Sequence, residues 1–164
     1  SKDIRDKIKK YIDKIDYAID NNLSLLLCGK NSGGKTLILS IILKTLIANY
    51  NYSCKYYMLE DILNFKEIDN GELDDTKIIT IDDVGNEHRK EGSDYAVKTL
   101  VNTIKSRIKM NKLTLLASKY DLQQLKNIYG DNFSSIIKNN YMIIDIADLE
   151  TRSDIKQKIQ KLLE

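Results

Sequence analysis

The sequence predicts an α/β fold, a mainly parallel sheet with helices on both faces, and three observations carry that prediction. Short, almost wholly apolar runs of strand length alternate with longer segments of helical period, a glycine-rich turn follows the first run, and the third run ends in two acids. A strand apolar on both sides needs cover on both sides, and helices crossing over between parallel strands provide it. At 164 residues the chain suits one compact domain, residues 1–164.

The elements follow in order. Ile4, Ile8, Ile12, Ile15 and Ile19 recur at steps of three and four, which places them on one face of a helix ending at Asn21-Asn22. Leu23 to Cys28 is the first buried strand and stops at Gly29. From Lys35 to about Ala48 apolar residues fill nearly every side of the turn, as in a helix packed deeply on a sheet. Ser53 to Leu59 reads as the second strand, with a short helix over Glu60 to Phe65, and Lys66 to Lys77 reads as a polar, acidic loop. Ile78 to Ile81 is the third strand, Ser93 to Met110 an amphipathic helix, and Leu113 to Ala117 the fourth strand. Leu122, Leu125 and Ile128 mark a short helix that Gly130 ends as a left-handed cap. Tyr141 to Ile146 is the fifth strand, and Ser153 caps a closing helix to Leu163.

Composition removes several function classes. Hydrophobic residues make up 42% and charged residues 30%, with 7 Gly and no Pro, the balance of a core-forming chain and not of a linker or a disordered tail. The 26 Lys+Arg nearly cancel the 24 Asp+Glu, leaving +2, so any nucleic-acid contact must be local. Cys28 and Cys54 lie in apolar runs and make no disulfide framework, so a reducing, cytoplasmic setting is expected. No run approaches the roughly 18 apolar residues of a membrane span, and no membrane partner is expected. The start at Ser1, without an initiator Met, is read as the C-terminal part of a longer protein.

The strongest motif is Gly29-Lys30-Asn31-Ser32-Gly33-Gly34-Lys35-Thr36, which matches G-x-x-x-x-G-K-[ST] at every fixed position, after a strand and before a helix. Glycines let the backbone wrap an anion so that successive N–H groups point inward, and the following helix adds its positive end. Lys35 then reaches the β- and γ-phosphates of ATP, and the Thr36 hydroxyl joins the shell of a Mg²⁺ ion. A second metal group is needed on a neighbouring strand, and Asp82, closing the third apolar run, supplies it at the sheet edge where the loop lies. Asp83 follows as the residue that orients the attacking water, so Lys35 and Asp83 are the catalytic candidates. Ser118, after the fourth strand, is a candidate for sensing the γ-phosphate, and Thr80 is a weaker one.

Other residues carry blander readings. His88 is the lone histidine but sits in the polar run Asn86 to Glu91, which favours exposure. Tyr50, Tyr52, Tyr56 and Tyr57 invite base stacking, yet alternation within a strand accounts better for Tyr56 and Tyr57. Lys105, Arg107, Lys109 and Lys112 read as the solvated face of a helix before they read as a track for a DNA backbone.

Two acids after a buried strand, then Val84-Gly85-Asn86-Glu87, a long helix, Ala117-Ser118-Lys119-Tyr120, Leu122 to Leu125 and Tyr129-Gly130-Asp131 form an ordered set. In that order, over Tyr11 to Arg152, the chain resembles the DnaC/DnaI/IstB family of AAA+ ATPases, bacterial helicase loaders and transposition helpers. The resemblance implies an AAA+ core with a five-stranded parallel sheet ordered 5-1-4-3-2 and no large lid. It implies Mg-ATP as ligand, a replicative helicase or a transposase as partner, contact with single-stranded DNA, and homo-oligomers. Arg152 falls near a family arginine that touches nucleotide or a neighbouring subunit. The chain departs from the family in reading Ala117-Ser118-Lys119 where Thr-Ser-Asn is usual, and in having no arginine within Asn132 to Ile137, where the family's finger arginine stands. Its segment at Lys66 to Lys77, in the place that helps hold single strands in loaders, is short and acidic.

The expected function is therefore a nucleotide switch in DNA replication or a mobile element, hydrolysing ATP slowly without a partner. Two alternatives stand beside it: an interaction module that responds to nucleotide with little or no hydrolysis, and a small-substrate phosphate-loop kinase, whose acceptor site the sequence does not show.

Overall fold

A computed structural model describes residues 2–30, 34–64, 73, 75–86 and 94–146. The sheet has five strands, β1 (Ser24–Cys28), β2 (Cys54–Met58), β3 (Ile78–Asp82), β4 (Leu113–Ala117) and β5 (Tyr141–Asp145). All neighbours are parallel, in the order β2-β3-β4-β1-β5, which is the expected 5-1-4-3-2 read from the other edge. Every residue of β1, β3 and β4 is buried, which is why these three read as continuous apolar runs. The edge strands are only partly covered, β2 at every position and β5 with Ile143 and Asp145 exposed.

Six helices flank the sheet among the described residues: α1 (Lys2–Asp13), α2 (Ile15–Asp20), α3 (Lys35–Tyr50), α4 (Leu59–Asn64), α5 (Asp94–Lys109) and α6 (Leu122–Asn140). Strand alternation divides the core between two faces. Leu25 and Leu27 of β1 join Leu39, Ile42 and Leu46 of α3 and Ile12, Ile15 and Ile19 of α1 and α2 on one face. Leu26 and Cys28 join Leu100 and Ile104 of α5 and Leu125, Phe133 and Ile137 of α6 on the other. Each such fully buried Leu, Ile or Phe contributes on the order of 1.5–3 kcal/mol relative to leaving it in water.

Three local expectations need correction. The first helix bends at Lys14 (φ −112°, ψ 29°) into α1 and α2. Hydrogen bonds from Lys14 N–H to Lys10 and from Ala18 N–H to Lys14 run across the bend. The helix after β4 does not end at Gly130: it breaks there and resumes to Asn140. Gly130 (φ 87°, ψ 176°) lies in a region essentially reserved for glycine and is not a left-handed helical cap. Phe133 and Ile137, one turn apart and fully buried, hold the second segment on the sheet, and the Tyr129 and Phe133 rings meet across the break at 4.8 Å. The loop expected over Lys66 to Lys77 is not a loop throughout, because Leu73 and Asp75 are helical and Leu73 is buried in the core. The closing helix from Ser153 to Leu163 lies outside the described residues, among which no lid domain is found.

Candidate phosphate and metal site

Chain direction sets the site. In a parallel sheet all strands end on one edge, so β1 delivers Gly29, β3 delivers Asp82 and β4 delivers Ser118 to the same rim. β1 stops at Gly29, whose φ of 124° suits only glycine, and the chain re-enters helical geometry at Gly34, the N-cap of α3. No side chain caps α3, so no capping side chain occupies its first-turn N–H groups, the arrangement that lets a helix start take an anion. Gly29, Lys30, Gly34, Lys35 and Thr36 are thus placed around the turn, whereas Asn31, Ser32 and Gly33 lie outside the described residues.

Lys35 is 6% exposed, and its Nζ donates to the Gly29 carbonyl at 2.5 Å, back across the turn. Burial pushes its ammonium below the usual lysine range, while the Asp82 carboxylate pulls the other way. The desolvation outweighs the attraction, so a further anion at this point is a gain for the protonated side chain.

The Thr36 hydroxyl, one residue on, donates to Asp82 Oδ2 at 2.6 Å. That polarity matters, because a hydroxyl that gives its proton to a carboxylate keeps its lone pairs for a cation. Asp82 Oδ2 also accepts from the Tyr56 hydroxyl of β2, and Oδ1 accepts from the Asp83 N–H at 2.7 Å. A hydroxyl and a carboxylate side by side are hard oxygen donors, which suit Mg²⁺. Among the described residues no three His, Cys, Asp or Glu side chains converge to hold a metal. The pair therefore fits an ion that takes its remaining ligands from phosphate oxygens and water, as Mg²⁺ commonly does, and the ion when bound would supply charge neutralisation of those phosphates.

The turn after Asp82 is held from behind. Asp83 is left-handed (φ 60°), exposed, and accepts at its carbonyl from Asn86 N–H. Val84 N–H donates to the Ala117 carbonyl at 3.0 Å, and Gly85 N–H donates to the Tyr129 hydroxyl of α6 at 2.8 Å. Gly85 sits at φ 91°, and a Cβ there would come within 2.7 Å of the Tyr120 ring, so two independent reasons require glycine.

Ser118 reaches the rim, 1% exposed, but its hydroxyl donates to the Val84 carbonyl at 2.6 Å and accepts from Tyr120 N–H at 3.1 Å. Its proton is engaged in fastening the acid turn to β4. Lys119 beside it is exposed, with Nζ against Asn86 Oδ1 and 5.0 Å from the centre of the Tyr120 ring.

Other sequence candidates separate cleanly. Arg107 is not on a solvated face: it is 0% exposed and donates from Nε to Thr114 Oγ1 at 2.9 Å, to the Leu113 carbonyl at 2.7 Å, and to the Leu73 and Lys77 carbonyls. That burial removes it both from a DNA track and from service to a neighbouring subunit. Tyr52 spends its hydroxyl on Asp16, and Tyr56 spends its own on Asp82. Thr80 is fully buried with its hydroxyl unpartnered among the described residues. His88 and Arg152 lie outside them.

Sequence reasoning missed Tyr56 and Tyr129 as site residues. Tyr56 could be found only through the β2–β3 register, and Tyr129 only through the approach of α6 to the acid turn.

Comparison of the backbone with solved structures agrees with this geometry. The replication initiator DnaA bound to AMPPCP and single-stranded DNA superposes with a TM-score of 0.70 at 18% identity, over 94% of this chain and 49% of that one. Domain III of the Thermotoga maritima replication initiation protein DnaA gives 0.69 at 19% identity, over 93% and 66%. The DnaC helicase loader gives 0.70 at 18% identity, over 85% and 86%. The fold is that of an AAA+ P-loop domain. The five-stranded parallel sheet, in the order β2-β3-β4-β1-β5, is the part of the chain that this likeness bears on. The chain spans about half the length, 49%, of replication initiation proteins that it matches. No protein-family model and no curated protein sequence matches the chain. Among the described residues no helix is long and apolar enough to cross a membrane.

Proposed function

We propose that this AAA+ domain binds Mg-ATP and works as a nucleotide switch in replication or in a mobile element. The observation that carries the reading is the convergence of Lys35, Thr36 and Asp82 at one rim, with the Thr36 hydroxyl 2.6 Å from the Asp82 carboxylate. In this reading the loop from Gly29 to Thr36 wraps the phosphates, Lys35 contacts the β- and γ-phosphates, Thr36 and Asp82 hold the metal, and Asp83 orients water. Ser118 acts on the γ-phosphate through the acid turn that it fastens, since its hydroxyl is given to Val84. Isothermal calorimetry with ATP and Mg²⁺ tests it: Lys35→Ala should weaken binding about 100-fold or more, and unchanged affinity would overturn the assignment.

The backbone likeness to DnaA and to the DnaC helicase loader supports a partner of the same class, a replicative helicase, with a transposase and single-stranded DNA as further candidates. One further observation favours little intrinsic turnover. Of the chain's four arginines, Arg107 is buried and committed to backbone carbonyls, and no arginine stands in Asn132 to Ile137. A finger arginine supplied in trans is worth about 10³–10⁵ in rate. Phosphate release per subunit should therefore stay low, and nearly flat, as protein concentration is raised without a partner. A steep rise would show that copies of the chain complete one another's sites, with Arg152 the first residue to substitute.

A further inference from the structure

A carboxylate that shares a cation with a hydroxyl needs an anchor that is not itself one of the metal's neighbours. Thr36 cannot be that anchor, because it is the other member of the pair. Asp82 offers about four lone-pair positions, two on each oxygen. Thr36 and Tyr56 occupy those of Oδ2, and the Asp83 N–H takes one of Oδ1. One position on Oδ1 remains.

Tyr56 reaches Asp82 because of sheet register. Met58 pairs with Asp82 and Tyr56 with Thr80, so Tyr56, Thr80 and Asp82 project from the same face of neighbouring parallel strands. The ring lies half-buried on the edge strand. We propose that Tyr56 is the positioning residue of the metal acid: its hydroxyl pins Asp82 Oδ2 from β2 and leaves one Oδ1 lone pair, in a fixed orientation, for Mg²⁺ or a water bound to it. This rests on the Mg-ATP reading above. Thr80, directly opposite in register and fully buried, has a hydroxyl with no partner among the described residues, which makes it the matched control on the same face.

The test titrates Mg²⁺ against a fluorescent ATP analogue bound to the wild-type protein, Tyr56→Phe and Thr80→Val, with a parallel titration of the analogue in EDTA. Phenylalanine keeps the ring in place and removes only the donor. Tyr56→Phe should raise the Mg²⁺ concentration for half-maximal binding by about 10-fold, the usual scale for losing an outer partner of a metal ligand. Affinity in EDTA should stay within about twofold, since binding without metal does not use Asp82 as a ligand. Thr80→Val should move neither. A wild-type Mg²⁺ midpoint in Tyr56→Phe, or an equal loss with and without metal, would overturn the proposal while leaving the nucleotide reading standing. Wild-type protein that binds no analogue would overturn that reading and this one together.

Discussion

The two ends of the sheet each bury a cationic side chain and treat it in opposite ways. At the N-terminal ends of β3 and β4, Arg107 is wholly enclosed and points its planar donors at the carbonyls of Leu73, Lys77 and Leu113 and the hydroxyl of Thr114. Guanidinium suits this task because it carries five donors in a fixed fork and is weakly hydrated. At the C-terminal ends, Lys35 lies behind a glycine turn with its charge disfavoured by burial, and the hydroxyl and carboxylate beside it are bonded to each other. The first end is closed, since its polar groups satisfy one another around a permanent charge. On the proposed reading the second is poised, since an incoming phosphate and metal would relieve the desolvation there. The same fold thus stores stability at one edge and binding capacity at the other.

Breaking the closed end should give the largest effect. Arg107→Met takes the guanidinium donors from the buried carbonyls of Leu73 and Leu113, while the Lys77 carbonyl keeps the Leu113 N–H, and at about 1–3 kcal/mol for each orphaned group the domain should lose about 2–4 kcal/mol. Urea unfolding measures this, and a shift below about 1 kcal/mol would show that the carbonyls find water instead. The fraction still folded should keep its ATP affinity, because nothing at the rim has been touched.

A smaller effect is expected where the poised end is braced. Gly85→Ala puts a Cβ at φ 91° within 2.7 Å of the Tyr120 ring, which should cost about 1–3 kcal/mol. Unlike the change at Arg107, it should also raise the Mg²⁺ requirement for ATP binding, because the turn carrying Asp82 and Asp83 must shift. Thermal melting and a Mg²⁺ titration on the same sample separate the two consequences. A loss of stability with an unchanged Mg²⁺ requirement would mean that the turn can move without the carboxylate.

The finest distinction is in pH. On the proposed reading Lys35 meets phosphate as the cation; burial lowers its pKa in the free protein, and a bound anion would raise it again. Affinity should then be complete below the lowered value and fall as pH climbs through it, starting at a lower pH than an ordinary lysine would set. Lys35→Arg, whatever its absolute affinity, should flatten the alkaline fall, since guanidinium does not titrate in this range. ATP affinity measured from neutral to alkaline pH reads the difference.

Much of this architecture was legible in the sequence for a definite reason. β1, β3 and β4 are buried on both faces, so their apolar runs are uninterrupted, and the loop before α3 has fixed chemistry at fixed spacing. The second segment of α6 was also available, in Phe133 and Ile137, but Gly130 reads locally as an end when it is only a break. Arg107 was misread because charged residues on an amphipathic helix usually face water, and only the arrival of the Leu73 and Lys77 carbonyls overrides that rule.

By itself the sequence determined the order of the five strands, the glycine turn before α3 and the identity of the acid that faces it. Those features rest on local periodicity and on spacing along the chain. Only the tertiary structure decided that Tyr56 holds Asp82, that Ser118 and Tyr129 fasten the acid turn, and that Arg107 closes the opposite edge. Each of these pairs residues far apart in the chain, through strand register and helix docking. A one-residue slip in register would turn Tyr56 to the other face, and nothing in its neighbours along the chain records which face that is.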